Sequence, residues 1–339
     1  MTEHALIAAA LPLARRIAAF DARKATPHAR AATRDAIIET VGALMSGAGS
    51  PAAQRPAHTS GALAEDGPCL VAGTARRTTA LDAALANGAA AAAGQQGAST
   101  DNGEAHAARF AALFALAGAR RLSGERFHAA WLAGEAAAQG LASAAPNLAP
   151  MLATTLATVA AASHLLRFDA STTAAALALA PGAMMMDEAD FAAAAPDEAL
   201  KAPLRAGRCA RVALHTVALA EQGETAGPTP HGPLTDTLTD ALTRAADAFG
   251  EPRHGPSSAA PPAHHDRCDA FVARCIATIG ASEALALYER LEAIDEASDI
   301  ALLGTLMARR TLPGADAASA PLALSTTPGD GSDETAWVP

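Results

Sequence analysis

Alanine-rich runs constrain this chain more than any other feature of its sequence. Residues 85–98 read LANGAAAAAGQQGA, and similar runs recur elsewhere. Half of the 339 residues are hydrophobic, but only 3% are aromatic. Alanine has the highest helix propensity, whereas strands favour β-branched and aromatic side chains. The sequence therefore predicts an all-α fold whose small residues let neighbouring helices approach closely.

Apolar residues at helical spacing and capping residues place the predicted helices. Ser123 and Asp169 precede two apolar stretches as expected N-caps, and the second of these helices is expected to end at Pro181 and Gly182. The predicted helical segments are Arg34–Met45, Thr79–Ala93, HAARFAALFALAGA, SGERFHAAWLAGEAAAQGLA, MLATTLATVAAASHLL, DASTTAAALALAPG, DAFVARCIATIG and SEALALYERLEAIDEASDIALLGTLM.

The charge pattern excludes two classes of partner. The net charge is −10, and the basic residues are scattered without forming a basic face, so neither nucleic acid nor an anionic membrane is an expected partner. No stretch reaches the ~18 to 20 uninterrupted apolar residues that span a bilayer. The segment MTEHALIAAALPLARRIAAF is typical of an amphipathic helix rather than a signal peptide, and the expected location is the cytoplasm.

The four cysteines are too dispersed for a disulfide framework. The stretch HHDRCDAFVARC contains His264, His265, Cys268 and Cys275, which are metal-ligand types at a spacing that fits no familiar zinc pattern. Cys268 and Cys275 are seven residues apart, and the alternative is that both face the core of a helix bundle. We expect no metal and no cofactor.

Composition also divides the chain. We expect an N-terminal helix or arm at 1–30, a helical domain at 31–250, a linker at 251–265 reading EPRHGPSSAAPPAHH, C-terminal helices at 266–312 and a disordered tail at 313–339. The C-terminal helices are expected to pack back on the helical domain, with no sheet inserted between them.

Several motifs, read in order, resemble the MmgE/PrpD family, which includes 2-methylcitrate dehydratase, cis-aconitate decarboxylase and iminodisuccinate epimerase. AIIETVGALMSGAGSP is similar to the end of the family's first long helix, and ALANGAAAAA to its A-L-x-N-G-x-A-A-H motif, with Asn87 and Gly88 in place. PLRAGRCARVALHTVALAEQGETAGP resembles the K-x-L-H-x-G-x-A-A segment, and YERLEAIDEASDIALL the closing helices. The resemblance covers most of residues 30–310 and implies the family's helical bundle.

The chain departs from the family where the family's acidic motif H-x-x-D-x-D-D-T lines a polycarboxylate site. The residues here are uncharged, and amides cannot exchange a proton as carboxylates do near neutral pH. We assign the polar residues of this stretch, Gln95, Gln96 and Ser99, to ligand binding. Met151 stands where the family has a histidine of the H-P-T-x-T-L-G-T segment.

A second departure concerns the family's smaller α+β domain, which covers the cleft. The linker 251–265 stands in its place, so the resemblance implies the helical domain without that lid. A site without a lid would be open to water, which weakens electrostatic stabilisation.

Candidate functional groups remain near the altered motif. His106, Asp101 and Lys201 are candidate catalytic groups, and Arg205 and Arg208 are candidate carboxylate ligands. For each group a non-functional alternative stays open: a solvated histidine beside Glu104, an ordinary turn and helix cap, or a solvated charged face. Met184–Met186 are expected to fill core or interface gaps.

Three functional hypotheses follow. The first is a family member that has lost its catalytic site and binds a partner or a small carboxylate as a helical homodimer. The second is a lyase or isomerase (dehydratase, decarboxylase or epimerase type) acting on a small polycarboxylate, and the third is a new biosynthetic reaction in an apolar pocket. If a site persists, residues 95–106, 147–151 and 201–208 should converge on one cavity.

The resemblance also implies dimerisation through the large helical domain. The alanine-rich faces of LDAALANGAAAAA and MLATTLATVAAASHLL are the expected contact surfaces, with an interface above ~2,000 Å². The alternative is that these faces pack only inside one chain.

Overall fold

The computed structural model describes residues 4–54, 67–95, 102–186, 198–225, 233–250 and 264–308, and within these ranges nearly all regular structure is helical. The α-helices are α1 (His4–Ala18), α2 (Pro27–Gly47), α3 (Ala80–Gly94), α4 (Gly103–Arg120), α5 (Gly124–Ala144), α6 (Pro150–Leu166), α7 (Ala170–Met186), α8 (Glu198–Glu221), α9 (Pro233–Ala248), α10 (His264–Ile279), α11 (Ala281–Glu292) and α12 (Ala301–Met307).

The remaining regular elements are small. Short 3-10 helices span Ala22–Lys24 and Ile294–Glu296. Two strands, β1 (Cys69–Leu70) and β2 (Arg77–Thr78), form an antiparallel ladder that is the only sheet in the described ranges. The all-α prediction is therefore confirmed.

Helix starts follow the capping residues. The Ser123 hydroxyl accepts a hydrogen bond from the backbone N–H of Arg126 (3.4 Å), and the Asp169 carboxylate accepts one from Thr172 (2.8 Å), as predicted. The predicted stop at Pro181 is wrong, because α7 continues to Met186. Proline removes one backbone N–H bond, but packing of α7 against α1, α6 and α8 maintains the helix past it.

Helix α8 lies at the centre of the bundle and packs against α3, α4, α6 and α7. Glycines bring α3 into backbone contact with the helices on both of its sides. A methyl group on Gly207 of α8 would lie 2.2 Å from the Leu85 carbonyl oxygen, and one on Gly94 would lie 1.9 Å from the Ala43 carbonyl oxygen of α2. Any side chain at these crossings would force the helices apart.

Asn87, one of the two residues shared with the family's N-G motif, has a structural role. Its Oδ1 accepts a hydrogen bond from the Ala72 N–H (2.9 Å), and its Nδ2 donates one to the Leu70 carbonyl (2.9 Å). The buried side chain thus fixes the segment after β1 on α3. Its neighbour Gly88 makes the close approach to α8, since a methyl group there would lie 2.7 Å from the Gly207 Cα.

The C-terminal helices pack on the helical body. Helix α10 lies along α2, where Arg267 pairs with Asp35 (3.0 Å) and Arg274 with Glu39 (2.8 Å). At the other end of the chain, α1 packs against α7 and α9. Residues 4–18 therefore belong to the helical body, and the boundary expected after residue 30 falls inside α2.

Both alanine-rich helices are buried within the single chain. Seven alanines of α3 and most of α6 from Leu152 to Leu165 are inaccessible to solvent or nearly so. Helix α3 packs against α2, α4 and α8, and α6 packs against α4, α5, α7 and α8. The faces expected to form a dimer contact thus pack inside the monomer.

No helix in the described ranges is both long enough and apolar enough to cross a membrane.

Candidate functional site

A cleft of about 940 Å³ opens where segments of five helices meet. Its wall comprises the first two turns of α4 and α6, the last turns of α7, the first half of α8 and one alanine of α5. The residues are Asn102–Ala105, Arg109, Ala138, Ala149–Thr154, Ala157, Pro181, Met184, Met185, Arg205, Ala206, Arg208 and Cys209. Parts of all three segments expected to converge therefore lie on one cleft.

Three arginines contribute positive charge to the cleft. Arg205 forms a two-bond ion pair with Glu104, with distances of 2.9 Å from Nη2 to Oε1 and 3.4 Å from Nε to Oε2. Arg208 is buried, and its Nη2 donates to the Met184 carbonyl. Both arginines predicted to bind a carboxylate thus lie on the cleft wall.

Arg109 is a third arginine, which the sequence did not single out. It is 2% exposed, and its Nε and Nη1 are buried without a hydrogen-bond partner in the described structure. Nη1 lies 3.6 Å from Oε1 of Glu135, and the guanidinium lies 5.3 Å from the centre of the Trp131 ring. Burial lowers the pKa of Arg109, and the negative charge of Glu135 opposes that effect.

His106 does not line this cleft. Its Nε2 lies 3.4 Å from Oε1 of Glu135, and its ring packs on Trp131 with 5.4 Å between ring centres. His106 and Arg109 are three residues apart on α4, which directs both side chains toward the same carboxylate of α5. His106, a candidate catalytic group, therefore contacts Glu135 and Trp131 and is not among the residues of the cleft wall, whereas Arg109 is.

The other predicted site residues lie either away from the cleft wall or outside the described residues. Lys201 lies one turn before Arg205 on α8 but is not part of the cleft wall. Gln95 follows the last turn of α3, also away from the cleft, and its Oε1 is buried without a hydrogen-bond partner in the described structure. Gln96, Ser99 and Asp101 lie outside the described residues.

Cys209 is the one thiol on the cleft wall. It is buried, its Sγ lies 3.6 Å from the Met151 carbonyl oxygen, and burial raises its pKa to about 11. A thiol with so high a pKa stays protonated at neutral pH and is a poor nucleophile. We therefore do not assign it a catalytic role.

The described residues contain no group of three or more His, Cys, Asp or Glu side chains that could hold a metal ion. In the HHDRCDAFVARC stretch, His265 lies 3.3 Å from Asp269, and His264 lies 3.7 Å from Glu292. Cys275 is buried in the core, whereas Cys268 is half-buried.

Comparison with known proteins places the fold in a family. Residues 12–247 match the family model of the MmgE/PrpD N-terminal domain. A search of curated proteins found no match. The family match runs from within α1 to the last turn of α9 and includes every element of the cleft. Because it covers more than half of the sequence, this chain belongs to the MmgE/PrpD family.

Proposed function

We propose that the cleft binds a small ligand with a carboxylate and an apolar portion, and that it does so without the acid–base catalysis that the family resemblance implies. The proposal rests on two donors of Arg109. Its buried Nε and Nη1 form no hydrogen bond in the described structure. A buried donor without an acceptor is costly, especially on a charged group. A ligand carboxylate would provide the missing acceptors.

The surroundings of Arg109 support an anionic ligand group. Arg208 is also buried on the cleft wall, and carboxylates bind guanidinium groups through two parallel hydrogen bonds. The first turns of α4 and α6 face the cleft, and neither Asn102 nor Ala149 caps its helix with a side-chain hydrogen bond. Uncapped N–H groups at two helix starts add further partial positive charge.

Loss of catalysis is supported by which groups occupy the wall. A dehydratase, decarboxylase or epimerase needs a group that can exchange a proton with its substrate. Within the described ranges, the titratable groups on the wall are three arginines, Glu104 and Cys209. Glu104 is paired with Arg205, and the Cys209 thiol has a raised pKa, so neither is a favourable general base.

The rest of the wall supports an apolar portion in the ligand. Pro150, Met151, Leu152, Met184 and Met185 line the cleft, and methionines adapt their shape to an apolar partner. The volume of about 940 Å³ lies at the upper end of the range of roughly 300–1,000 Å³ that is usual for small-molecule sites. The same surface would also suit the substrate of a repurposed biosynthetic reaction.

Calorimetry with four probes tests the proposal. The probes are octanoate, its neutral amide, cis-aconitate and 2-methylcitrate. We expect octanoate to bind and octanamide not to bind, because the amide lacks the negative charge. Arg205→Gln should weaken octanoate binding roughly tenfold, since it removes one positive charge from the wall.

The matched control is Arg244→Gln, which removes an arginine from an ion pair with Asp240 on the surface of α9. This variant should bind octanoate like the unmodified protein. Absorbance of the unsaturated acids should stay constant with cis-aconitate and 2-methylcitrate. If no carboxylate binds, the proposal is wrong. Turnover that Arg205→Gln abolishes would instead establish the lyase or isomerase alternative.

A homodimer in the cytoplasm is part of the proposal. The alanine-rich helices expected at the dimer contact are buried within one chain. Support for the dimer therefore comes from the family resemblance alone, and its contact surface must lie elsewhere on the helical domain.

A further inference from the structure

A second cleft, of about 490 Å³, lies at the opposite end of α6 from the first. Since α6 has 17 residues, the helix is roughly 25 Å long. The walls are formed by the last turn of α6, the first half of α5, the connection between α1 and α2, the start of α2 and the 3-10 helix that contains Asp295. The lining side chains include Phe20, His164 and Phe168. We call it the arginine cleft because four arginines line it: Arg23, Arg30, Arg126 and Arg167.

Two of the carboxylates that line the arginine cleft, Asp21 and Asp295, form ion pairs. Asp21 pairs with Arg23 (2.9 Å). Asp295 accepts a hydrogen bond from His128 (2.7 Å) and pairs with Arg34 (3.2 Å) and Arg30 (3.5 Å).

Glu125 is the third carboxylate on the wall, and its charge acts on Arg23. Four lining arginines therefore face three lining carboxylates, before the two histidines are considered. None of the three carboxylates pairs with Arg126 or Arg167 within the described structure.

Arg126 and Arg167 are thus left as neighbouring positive charges. Arg126 donates from Nη2 to the Leu165 carbonyl, but its Nε is buried without a hydrogen-bond partner in the described structure. Arg167 ends α6 in the left-handed conformation (φ 58°), and its exposed side chain forms no ion pair or hydrogen bond with any other described residue.

The positive charges of Arg126 and Arg167 act on the pKa values of nearby groups. Burial lowers the pKa of Arg126, and the charge of Arg167 lowers it further. Burial also lowers the pKa of His164; its hydrogen bond to the Ile17 carbonyl opposes the change, and the charges of Arg126 and Arg167 add to it. An anion between the two arginines would relieve their repulsion and supply an acceptor for the Arg126 Nε.

We propose that the arginine cleft binds a small organic oxyanion, a carboxylate or a phosphate monoester, whose two oxygens bridge Arg126 and Arg167 and whose body packs on Phe20 and Phe168. Both anion types present paired oxygens to a guanidinium group. The volume of about 490 Å³ is typical of a small-molecule site and leaves room for an apolar body next to the anionic group.

Calorimetry with phenyl phosphate, phenylacetate and inorganic phosphate tests the site. We expect at least one of the two aromatic anions to bind more tightly than inorganic phosphate, because only they reach the phenylalanines. Tighter binding of phenyl phosphate would identify a phosphate monoester as the natural class of ligand, and tighter binding of phenylacetate a carboxylate.

The key variant is Arg167→Asn, since asparagine tolerates the left-handed conformation and the side chain is exposed, so folding should be preserved. It should weaken binding of the aromatic anion about tenfold. Arg121→Asn is the control, because Arg121 also ends its helix in the left-handed conformation (φ 53°) and is exposed, but lies outside the arginine cleft. It should leave binding unchanged. Since it also removes an ion pair with Asp299 (2.8 Å), circular dichroism checks that this variant is folded.

Two results would overturn the proposal. One is that neither aromatic anion binds, and the other is that Arg167→Asn and Arg121→Asn have equal effects. Phenylacetate also fits the ligand class proposed for the first cleft, so the variants separate the two sites: binding at the arginine cleft is the part that Arg167→Asn weakens and Arg205→Gln leaves unchanged. Phenyl phosphate binding should not respond to Arg205→Gln, and octanoate binding that Arg205→Gln weakens should not respond to Arg167→Asn. Failure of the octanoate experiment and failure of this one are therefore separate outcomes.

Discussion

At the scale of single residues, one carboxylate organises the interior behind the first cleft. Glu135 accepts hydrogen bonds from the Trp131 indole (3.0 Å) and the Thr33 hydroxyl (3.3 Å). It also lies within 3.6 Å of both His106 and Arg109. A single negative charge is thus shared by two α4 groups that carry or can carry positive charge, which leaves part of the Arg109 donor capacity unused.

This arrangement shows what a sequence can and cannot predict about a site. The positions of Arg205 and Arg208 on the cleft followed from motif order, because both lie on one segment. Trp131 and Glu135 are one helical turn apart and therefore share a face of α5. Their contact with Arg109 depends on how α4 crosses α5, and alanine-rich helices carry few large side chains from which that crossing could be predicted.

Asp295 supports a prediction about pH. Burial alone would raise its pKa, but the hydrogen bonds from His128 and Arg34, together with the charges of His128 and Arg30, lower it to about 2. A carboxyl group whose pKa is lowered on folding stabilises the native state above its unfolded pKa of about 3.9, and this contribution is lost as the pH falls toward 2.

We therefore expect Asp295→Asn to lower the free energy of unfolding at pH 7 by about 1 to 2 kcal/mol, after allowance for solvent screening. The difference between variant and unmodified protein should shrink as the pH falls from 5 toward 2. Urea unfolding at pH 7, 5 and 3 measures it. A difference that stays constant over this range would contradict the lowered pKa.

At the scale of elements, the crossing of α3 and α8 determines where the cleft arginines lie. The two helices meet at Gly88 and Gly207, and Gly207 stands between Arg205 and Arg208 in the sequence. The position of both arginines therefore depends on this backbone contact.

Gly207→Ala should be strongly destabilising, because its methyl group would lie 2.2 Å from the Leu85 carbonyl oxygen. Overpacking of this kind costs about 1 to 3 kcal/mol, measurable by urea unfolding. Gly118→Ala is the matched control: it makes the same change within α4, where the added methyl group meets nothing within 4 Å. Since alanine favours helices, the control should be neutral or stabilising. Equal effects of the two substitutions would contradict the role of the crossing.

Helices were predicted best where the sequence pattern that indicates them is local. The caps at Ser123 and Asp169 and the helices that follow them come from short-range hydrogen bonds and spacing. The β1–β2 ladder was missed because each strand has only two residues and the ladder is anchored by Asn87, 15 positions beyond Ala72. The helix end predicted at Pro181 was wrong, because packing of α7 on three neighbouring helices outweighs the loss of one backbone hydrogen bond.

At the scale of the whole molecule, the prediction concerns the oligomeric state. We expect a homodimer, as the family resemblance implies, although the alanine-rich helices are already buried within one chain. Light scattering at low protein concentration checks this, with circular dichroism to confirm that the sample is helical. A folded species at the chain mass of 33.9 kDa would show that the prediction is wrong.

The glycine contacts that set the spacing of α3, α2 and α8 do not involve the side chains of the cleft. Where α3 meets α2 and α8, main chain touches main chain, so the spacing of these helices does not depend on the side chains that point into the cleft. The α8 wall therefore keeps its place against α3 when a wall residue such as Met151 or Arg205 is exchanged. For protein engineering, this makes the cleft a surface on which new ligand preferences can be tried by substituting wall residues alone, provided that Gly88, Gly94 and Gly207 are left untouched.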